Sequence, residues 1–196
     1  MQPVPDREIA LMIQVRGGDE GAFEALHDAW QRRVLSFFYG LSRDAALASD
    51  LCQETFLRVW KIRRRYRATG SFPGYLFGVA RYVWLEHLRR QQRVWQLGAR
   101  SETALAEQAP DGAERRPDYR AARSELEGRI LDALDQLPEA QREVFILRNI
   151  EGLSLDDIAA ALDCPVNTVR SRKLLAMKKL RHLLSEVFTS RLDRVL

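Results

Sequence analysis

The sequence has few of the features that would place it in a membrane, in an oxidising compartment or around a metal ion. No apolar run in its 196 residues approaches the roughly 18 that span a bilayer, and the N-terminus lacks the basic-then-apolar layout of a secretory signal. Cys52 and Cys164 lie far apart, and the three histidines stand at no metal-ligand spacing. The composition therefore argues against membrane insertion, secretion and a zinc site. It predicts a reduced, soluble, cytoplasmic chain in which the cysteines are core thiols.

Strand patterns are also missing. Apolar residues do not alternate with period two but recur at three- and four-residue steps, which is the spacing of amphipathic helices. The clearest stripe follows Asp19, a predicted N-cap, and comprises Phe23, Leu26, Trp30, Val34, Phe37 and Leu41. Three further helices are predicted in the first half: Asp6 to Gly17 with Ile9, Met12 and Ile13 inward, about Asp44 to Arg65, and about Phe72 to Arg93.

The chain divides into two halves. Residues 98–120 mix small, charged, Pro and Gly residues and show no sustained apolar stripe, which is typical of a linker. We therefore predict an all-α fold of two small helical domains, residues 1–96 and 122–196, joined by a flexible linker over residues 97–121.

The second half contains the spacing of a helix-turn-helix. After helices predicted over residues 124–136 and 138–149, Ser154 caps a short helix, Leu155 to Leu162, and a turn leads into a basic helix that runs to about Phe188. Ile158, Ala159, Leu162, Val166 and Val169 would pack the two helices together. The alternative is a structural hairpin with a basic solvent face. In the DNA-binding interpretation, the residues that reach a major groove are Thr168, Arg170, Ser171, Arg172 and Lys173.

Positive charge is clustered, although the net charge is only +4. Arg58 to Arg67 holds six basic residues without an acid, and Arg170 to Arg181 holds six more. Residues 81–93 add four arginines against Glu86. Such stretches favour a polyanionic partner, most often nucleic acid; taken singly, each could also be a solvated helix face.

Two motifs carry a resemblance to a known family. Leu137-Pro138-Glu139, followed by Arg142-Glu143-Val144-Phe145, Glu151-Gly152-Leu153-Ser154 and Thr168-Val169-Arg170-Ser171-Arg172, resembles the −35-binding domain of bacterial sigma factors. The segment from Asp50 to Trp60, DLCQETFLRVW, is similar to the part of sigma region 2 that grips the clamp helices of the RNA polymerase β′ subunit. The size and order of the two parts resemble the extracytoplasmic-function (ECF) group.

The resemblance implies roles for particular residues. The expected core-polymerase-binding set is Asp50, Leu51, Gln53, Glu54, Phe56, Leu57 and Trp60, of which Leu51, Phe56 and Trp60 are either apolar anchors or core. The expected −10 DNA set is Arg63, Arg64, Arg65, Arg67, Tyr75, Arg81, Tyr82, Trp84, Arg89 and Arg90, in which the aromatics are either base platforms or core and the first four arginines are phosphate contacts. The sequence departs from the family where an arginine-rich run reads Leu174-Leu175-Ala176-Met177.

The resemblance also implies partners. They are core RNA polymerase, through its β′ clamp helices and β subunit, promoter DNA, and an anti-sigma factor, and the chain is expected to be a monomer without them. No cofactor, metal ion or catalysis of covalent chemistry is expected. Two other classes stay open: a dimeric stand-alone helix-turn-helix regulator, and an enzyme acting on DNA, for which Asp50 with Glu54 and Asp156 with Asp157 are the candidate acid pairs.

Overall fold

The computed structural model describes residues 7–98 and 128–192, and all regular structure in these ranges is helical. The predicted linker lies outside the described residues, except for residues 97 and 98, which belong to a helix. None of the described helices is both long and apolar enough to cross a membrane. The N-terminal half forms α1 (Arg7–Gly17), α2 (Glu20–Ser42), α3 (Ala45–Ile62), a 3₁₀ turn (Arg63–Arg65) and α4 (Phe72–Gly98).

Two aspartates begin the long helices of this half. The Asp19 carboxylate accepts a hydrogen bond from the Ala22 amide at 2.9 Å, so the predicted N-cap is confirmed. Asp44 accepts bonds from the amides of Ala46 and Leu47 at 2.8 and 3.0 Å. Each satisfies amides that a helix start leaves unpaired, and each places a negative charge at the positive end of the helix dipole.

The predicted stripe on α2 forms the centre of the N-terminal core. Leu26, Trp30, Val34, Phe37 and Leu41 are buried, and Phe23 packs against them half-buried. On α1 the inward position of Met12 is confirmed, but that of Ile13 is wrong, because Ile13 is 40% exposed. The buried face of α1 runs instead through Met12 and Val15.

The described part of the C-terminal half, residues 128–192, forms four helices. They are α5 (residues 128–135), α6 (Glu139–Phe145), which continues into a π-helical turn (Ile146–Ile150), α7 (Leu155–Leu162) and α8 (Val166–Leu192). Ser154 caps α7 through a reciprocal capping box with Asp157, as predicted for a helix start at this serine. The turn into α8 begins at Asp163, which adopts the left-handed conformation (φ 47°).

The two halves pack directly on each other. Val144, Ile146, Leu147, Ile158 and Val169 of the C-terminal half belong to the same buried cluster as the core of α2 and α4. A smaller cluster of Ala133, Leu134, Leu137, Ala176 and Leu180 holds α5 against α8. The predicted all-α fold of two small helical domains is confirmed. Direct packing of one domain on the other was not predicted.

Candidate nucleic-acid interface

A basic cleft lies between the 3₁₀ turn, the start of α4 and α7. It is a cavity of about 910 Å³ whose walls combine cations, tyrosines and two carboxylates. Arg58, Lys61, Arg65 and Arg67 supply the positive charge from the N-terminal domain, Tyr66, Tyr75 and Tyr82 supply aromatic surface, and Asp156 and Asp157 enter from α7. Cations beside aromatic faces suit a single nucleic acid strand, because the cations hold phosphates while the rings stack on bases.

The tyrosines of the cleft differ in their availability. Tyr82 is 53% exposed and lies under the Arg58 guanidinium, whose central carbon is 4.7 Å from the ring centroid. Tyr66 and Tyr75 meet edge to face with centroids 4.8 Å apart. Burial raises the pKa of Tyr75 to about 12 and that of Tyr66 above its ordinary value. Tyr82 is therefore the ring most accessible to a base, and Tyr66, which the sequence analysis did not select, belongs to the wall.

Of the four predicted phosphate contacts, Arg65 and Arg67 line this cleft, and Arg63 and Arg64 precede them in the 3₁₀ turn. Arg64, Arg65 and Arg67 are exposed, and Arg63 is half-buried with its guanidinium carbon 4.0 Å from the Trp60 ring centroid. Further along α4, Arg89 and Arg90 are also exposed. The same end of α4 carries Trp95, which is 81% exposed and was not among the predicted site residues.

Two predicted DNA-contacting residues are instead engaged by the C-terminal domain. The Trp84 indole is 7% exposed and donates a hydrogen bond to Glu139 Oε1 at 2.8 Å. Arg81 Nε lies 3.5 Å from Glu143 Oε2. In this arrangement the Trp84 indole is buried, whereas the Arg81 side chain stays 25% exposed beside Glu143.

Further polar contacts between the domains have the same arrangement, with the donor on the N-terminal domain and the carboxylate on the C-terminal domain. Arg33 pairs with Glu151 at 3.2 Å, and Arg43 reaches Asp132 and Asp135 at 3.2 and 3.4 Å. The Ser71 hydroxyl donates to Asp157. The N-terminal domain therefore supplies donors, and the C-terminal domain supplies carboxylates. Arg142, which donates to the Leu41 carbonyl at 3.3 Å, is an exception.

Glycines bring the helices of the two domains into close contact. On α4, a Cβ atom at Gly74 would lie 3.3 Å from the Asp157 carbonyl oxygen, and one at Gly78 would lie 3.7 Å from Ala161 Cα. On α2, a Cβ atom at Gly40 would lie 2.9 Å from Ile146 Cδ1. The spacing of Gly74 and Gly78 matches that of Asp157 and Ala161, so one turn of α4 lies directly on one turn of α7. We call Gly40, Gly74 and Gly78 the glycine dock.

The start of α8 stays accessible while the domains are packed. Arg170 and Ser171 are exposed, whereas Thr168, Arg172 and Lys173 are half-buried. Arg172 donates toward Cys164 Sγ at 3.8 Å, so it points back toward the preceding turn. Asn167, which the sequence analysis did not select, is exposed and accepts a hydrogen bond from Arg170 at 3.2 Å. The position of Asn167 in the first turn of a basic helix could have identified it from the sequence.

The α3 face predicted to bind polymerase is also accessible in part. Asp50, Gln53 and Leu57 are exposed along one side of the helix, with Leu57 at 53%. Glu54 is half-buried and pairs with Arg58 at 3.6 Å. Leu51, Phe56 and Trp60 were expected to be either apolar anchors or core residues. Leu51 and Phe56 are buried in the core, and Trp60 is half-buried against Phe23.

Buried carboxylates make the domain packing sensitive to pH. Burial raises the pKa of Glu143, although the positive charge of Arg81 opposes the shift. The negative charge of Glu139 raises this pKa further, and the positive charge of Arg172 lowers it. Burial likewise raises the pKa of Glu151 against the pull of Ser36 and Arg33. A carboxyl whose pKa is higher when the two domains are packed together stabilises that packing most while it is protonated. Its contribution is complete below the ordinary pKa of 4.5, and it is lost as the pH rises through the pKa of the packed state.

We therefore expect the radius of gyration, measured by small-angle X-ray scattering, to increase as the pH rises above 4.5 and docking weakens. A Glu143→Gln, Glu151→Gln double variant should show a smaller increase, because neither amide titrates. Burial lowers the pKa of His87 from its ordinary 6.5, so protonation of His87 weakens the domain packing as the pH falls. This effect is the same in the wild type and in the double variant, and it cancels when the two are compared. Equal pH dependence in both would contradict this prediction.

Comparison with known proteins identifies the two domains. The model of sigma-70 region 2 matches residues 26–94, and the model of sigma-70 region 4 matches residues 127–180. The chain is 34% identical to RNA polymerase sigma factor CarQ of Myxococcus xanthus over 177 residues, which cover 90% of this chain and 97% of that protein. It is 33% identical to ECF RNA polymerase sigma-E factor of Haemophilus influenzae over 172 residues, covering 83% and 87%. The chain belongs to the family of ECF RNA polymerase sigma factors.

Solved structures show the same fold. The sigma factor RpoE in complex with the anti-sigma factor NepR from Bartonella quintana aligns with a TM-score of 0.66 at 24% identity, over 83% of this chain and 96% of that one. CnrH in complex with the cytosolic domain of CnrY aligns with a TM-score of 0.65 at 24% identity, over 92% and 99%.

Proposed function

We propose that the chain binds core RNA polymerase through the exposed face of α3 and directs it to promoters whose −35 element is read by α8 and whose −10 strand enters the basic cleft. The observation that carries the proposal is the match of region 2 and region 4, in that order, to the domains holding these surfaces. The α3 face is assigned to the β′ clamp helices of the polymerase. The β subunit is a further proposed contact of the chain.

The residues of α8 divide by exposure. Arg170, Ser171 and Asn167 are the candidates for base contacts, since they are exposed at the N-terminal end of the recognition helix. Lys173 and Thr168, half-buried beside them, are better placed for phosphates. In the N-terminal domain, Arg64, Arg65 and Arg67 supply affinity and salt dependence, while Tyr82 stacks on a base.

Control of the chain is assigned to an anti-sigma factor. Two structurally similar sigma factors have been solved with a partner of their own, NepR in one case and CnrY in the other. We infer that a comparable partner acts on this chain, and that the unpartnered protein is a monomer working in the cytoplasm, where its polymerase and promoters are. Its function consists of binding, with no covalent step assigned to any of its side chains.

Run-off transcription with core polymerase tests the function. On a pool of promoter fragments from the same genome, we expect discrete starts that require the protein. Replacing Arg170 by alanine should reduce initiation at those starts by roughly 10- to 100-fold, because one lost bidentate base contact costs about 1–3 kcal/mol.

Arg16→Ala is the matched control, since Arg16 is also an exposed helical arginine but lies on α1. Starts that do not depend on the protein, together with tight binding of the protein alone to specific duplexes, would refute the proposal and favour a stand-alone regulator.

A further inference from the structure

The outward face of α8 carries a large apolar side chain among polar ones. Leu174 is 71% exposed, and it begins the run Leu174-Leu175-Ala176-Met177, in which this chain departs from the arginine-rich sequence of its family. A helix turns by about 100° per residue, so Asn167, Arg170, Ser171 and Leu174 follow one another along a single stripe at three- and four-residue steps. All four residues of this stripe are exposed.

The stripe faces away from the core of the domain. Val169 and Ala176 of α8 are completely buried, and Leu180 is 5% exposed. Leu174 lies about 140° around the helix from Val169 and about 160° from Ala176. It is therefore on the side of α8 opposite the packing residues, where its side chain takes no part in the core and is available to a partner of this helix.

The charge around Leu174 suits DNA as that partner. Arg170 and Lys173 precede it and Lys178 follows it, and residues 164–185 contain no acidic residue. A surface of this kind attracts a polyanion. In the major groove of DNA, thymine presents a C5-methyl group, which is the apolar feature of a base edge that an apolar side chain contacts. A leucine surrounded by cations thus fits a groove that offers a methyl group between two rows of phosphates.

The spacing of the stripe also suits a major groove. The recognition helix of homeodomains reads bases through four positions separated by three, one and three residues, and Asn167, Arg170, Ser171 and Leu174 have the same separations. A helix rises about 1.5 Å per residue, so Leu174 lies about 6 Å beyond Arg170 along the axis, while successive bases are about 3.4 Å apart. With α8 lying along the groove, Leu174 is about two base pairs from the pair that Arg170 contacts.

We propose that Leu174 reads a thymine of the −35 element through an apolar contact with the C5-methyl group of that base. The inference rests on the proposed function, because it takes α8 as the helix that reads this element. It adds a specificity-determining residue that forms no hydrogen bond with DNA. It also predicts an A·T pair about two base pairs from the pair contacted by Arg170. A −35 element without thymine on either strand, once mapped by run-off transcription, would refute the inference.

Deoxyuridine tests the contact, because it is thymidine without the C5-methyl group. The probes are promoter duplexes in which each thymine of the −35 element is replaced singly by deoxyuridine. They compete with a fluorescent unmodified duplex for core polymerase carrying the protein, and binding is followed by anisotropy. We expect one replacement to weaken binding about fourfold, which is the effect of removing one methyl group from an apolar contact.

Leu174→Ala should remove this response. The shorter side chain no longer reaches the base, so the variant should bind the unmodified duplex at least about fourfold more weakly than the wild type and should bind the deoxyuridine duplex equally well. Such loss of coupling is the result that a double-mutant cycle gives for two groups in contact. Leu35→Ala is the matched control, since Leu35 is an exposed leucine of α2, and it should keep the wild-type affinity and the wild-type response. The same deoxyuridine response in Leu174→Ala and the wild type would overturn the inference.

Binding to core polymerase without DNA separates this contact from a protein contact. Leu174→Ala should bind core polymerase as the wild type does, and a loss of that affinity without any response to deoxyuridine would refute the inference and assign Leu174 to a polymerase surface. Run-off transcription distinguishes the two proposals. Protein-dependent starts without a deoxyuridine effect at any −35 thymine would refute the methyl contact and leave the proposed function standing. Absence of protein-dependent starts would refute the proposed function, and the inference with it.

Discussion

Leu57→Arg is expected to abolish protein-dependent transcription, lowering run-off product by more than about a hundredfold. Leu57 is 53% exposed on the same face of α3 as Asp50 and Gln53, one turn beyond Gln53. A large exposed apolar side chain beside polar residues is typical of an interface anchor. Arginine there would remove the apolar contact and bury an unpaired charge, and the second effect alone costs several kcal/mol.

Leu35→Arg is the control for this substitution. Leu35 is 40% exposed on α2, so both variants place an arginine at an exposed helical leucine without disturbing the core. Affinity for core polymerase, measured by anisotropy of a labelled protein, should fall for Leu57→Arg and stay unchanged for Leu35→Arg. Circular dichroism should show equal helix content in both. Normal polymerase binding by folded Leu57→Arg would exclude the exposed face of α3 as the binding surface.

Local features of the fold could be predicted because they depend on neighbours in the chain. The stripe on α2, the cap at Asp19 and the start of α7 at Ser154 each follow from residues three or four apart. Ile13 was misplaced because α1 is short and carries adjacent apolar residues on several faces. Periodicity alone does not decide which face such a helix buries.

The docked arrangement could not be predicted in this way. Gly74 and Gly78 are four residues apart, but nothing local identifies the helix that packs on them. Glu143 and Arg81 are separated by 62 positions, and their pairing depends on how two domains meet. The candidate site was therefore predicted as sets of residue types on helices. Which of them are covered, as Trp84 is, depends on long-range packing.

The same limit applies to individual residues of the site. Arg172 and Arg170 are equivalent in composition, yet one is half-buried and directed toward Cys164 while the other is exposed. Leu51 and Phe56 lie in the motif predicted to bind polymerase, yet both are buried. In a motif of this kind, some residues maintain the helix in position and others make the contact. Exposure distinguishes them and the motif does not.

Phe77→Ala is expected to lower the free energy of unfolding by about 3–5 kcal/mol. Phe77 is completely buried, and its ring centroid lies 5.5 Å from that of Phe37 and 6.4 Å from that of Trp30, both in edge-to-face contact. Alanine would leave a cavity between α2 and α4 that the surrounding rings can fill only partly. The loss is a large share of the roughly 5–15 kcal/mol typical of a folded domain.

Urea unfolding followed by tryptophan fluorescence measures the free energy of unfolding of the domain that contains Phe77, because all four tryptophans lie in the N-terminal half. Tyr39→Ala is the control: Tyr39 is 39% exposed on α2, and its truncation should cost less than about 1 kcal/mol. A loss below 1 kcal/mol for Phe77→Ala would contradict the central place of this ring in the core. Since α4 carries Arg81, Tyr82 and the glycine dock, a core that holds it less firmly should also weaken polymerase-dependent transcription, with no contact to DNA removed.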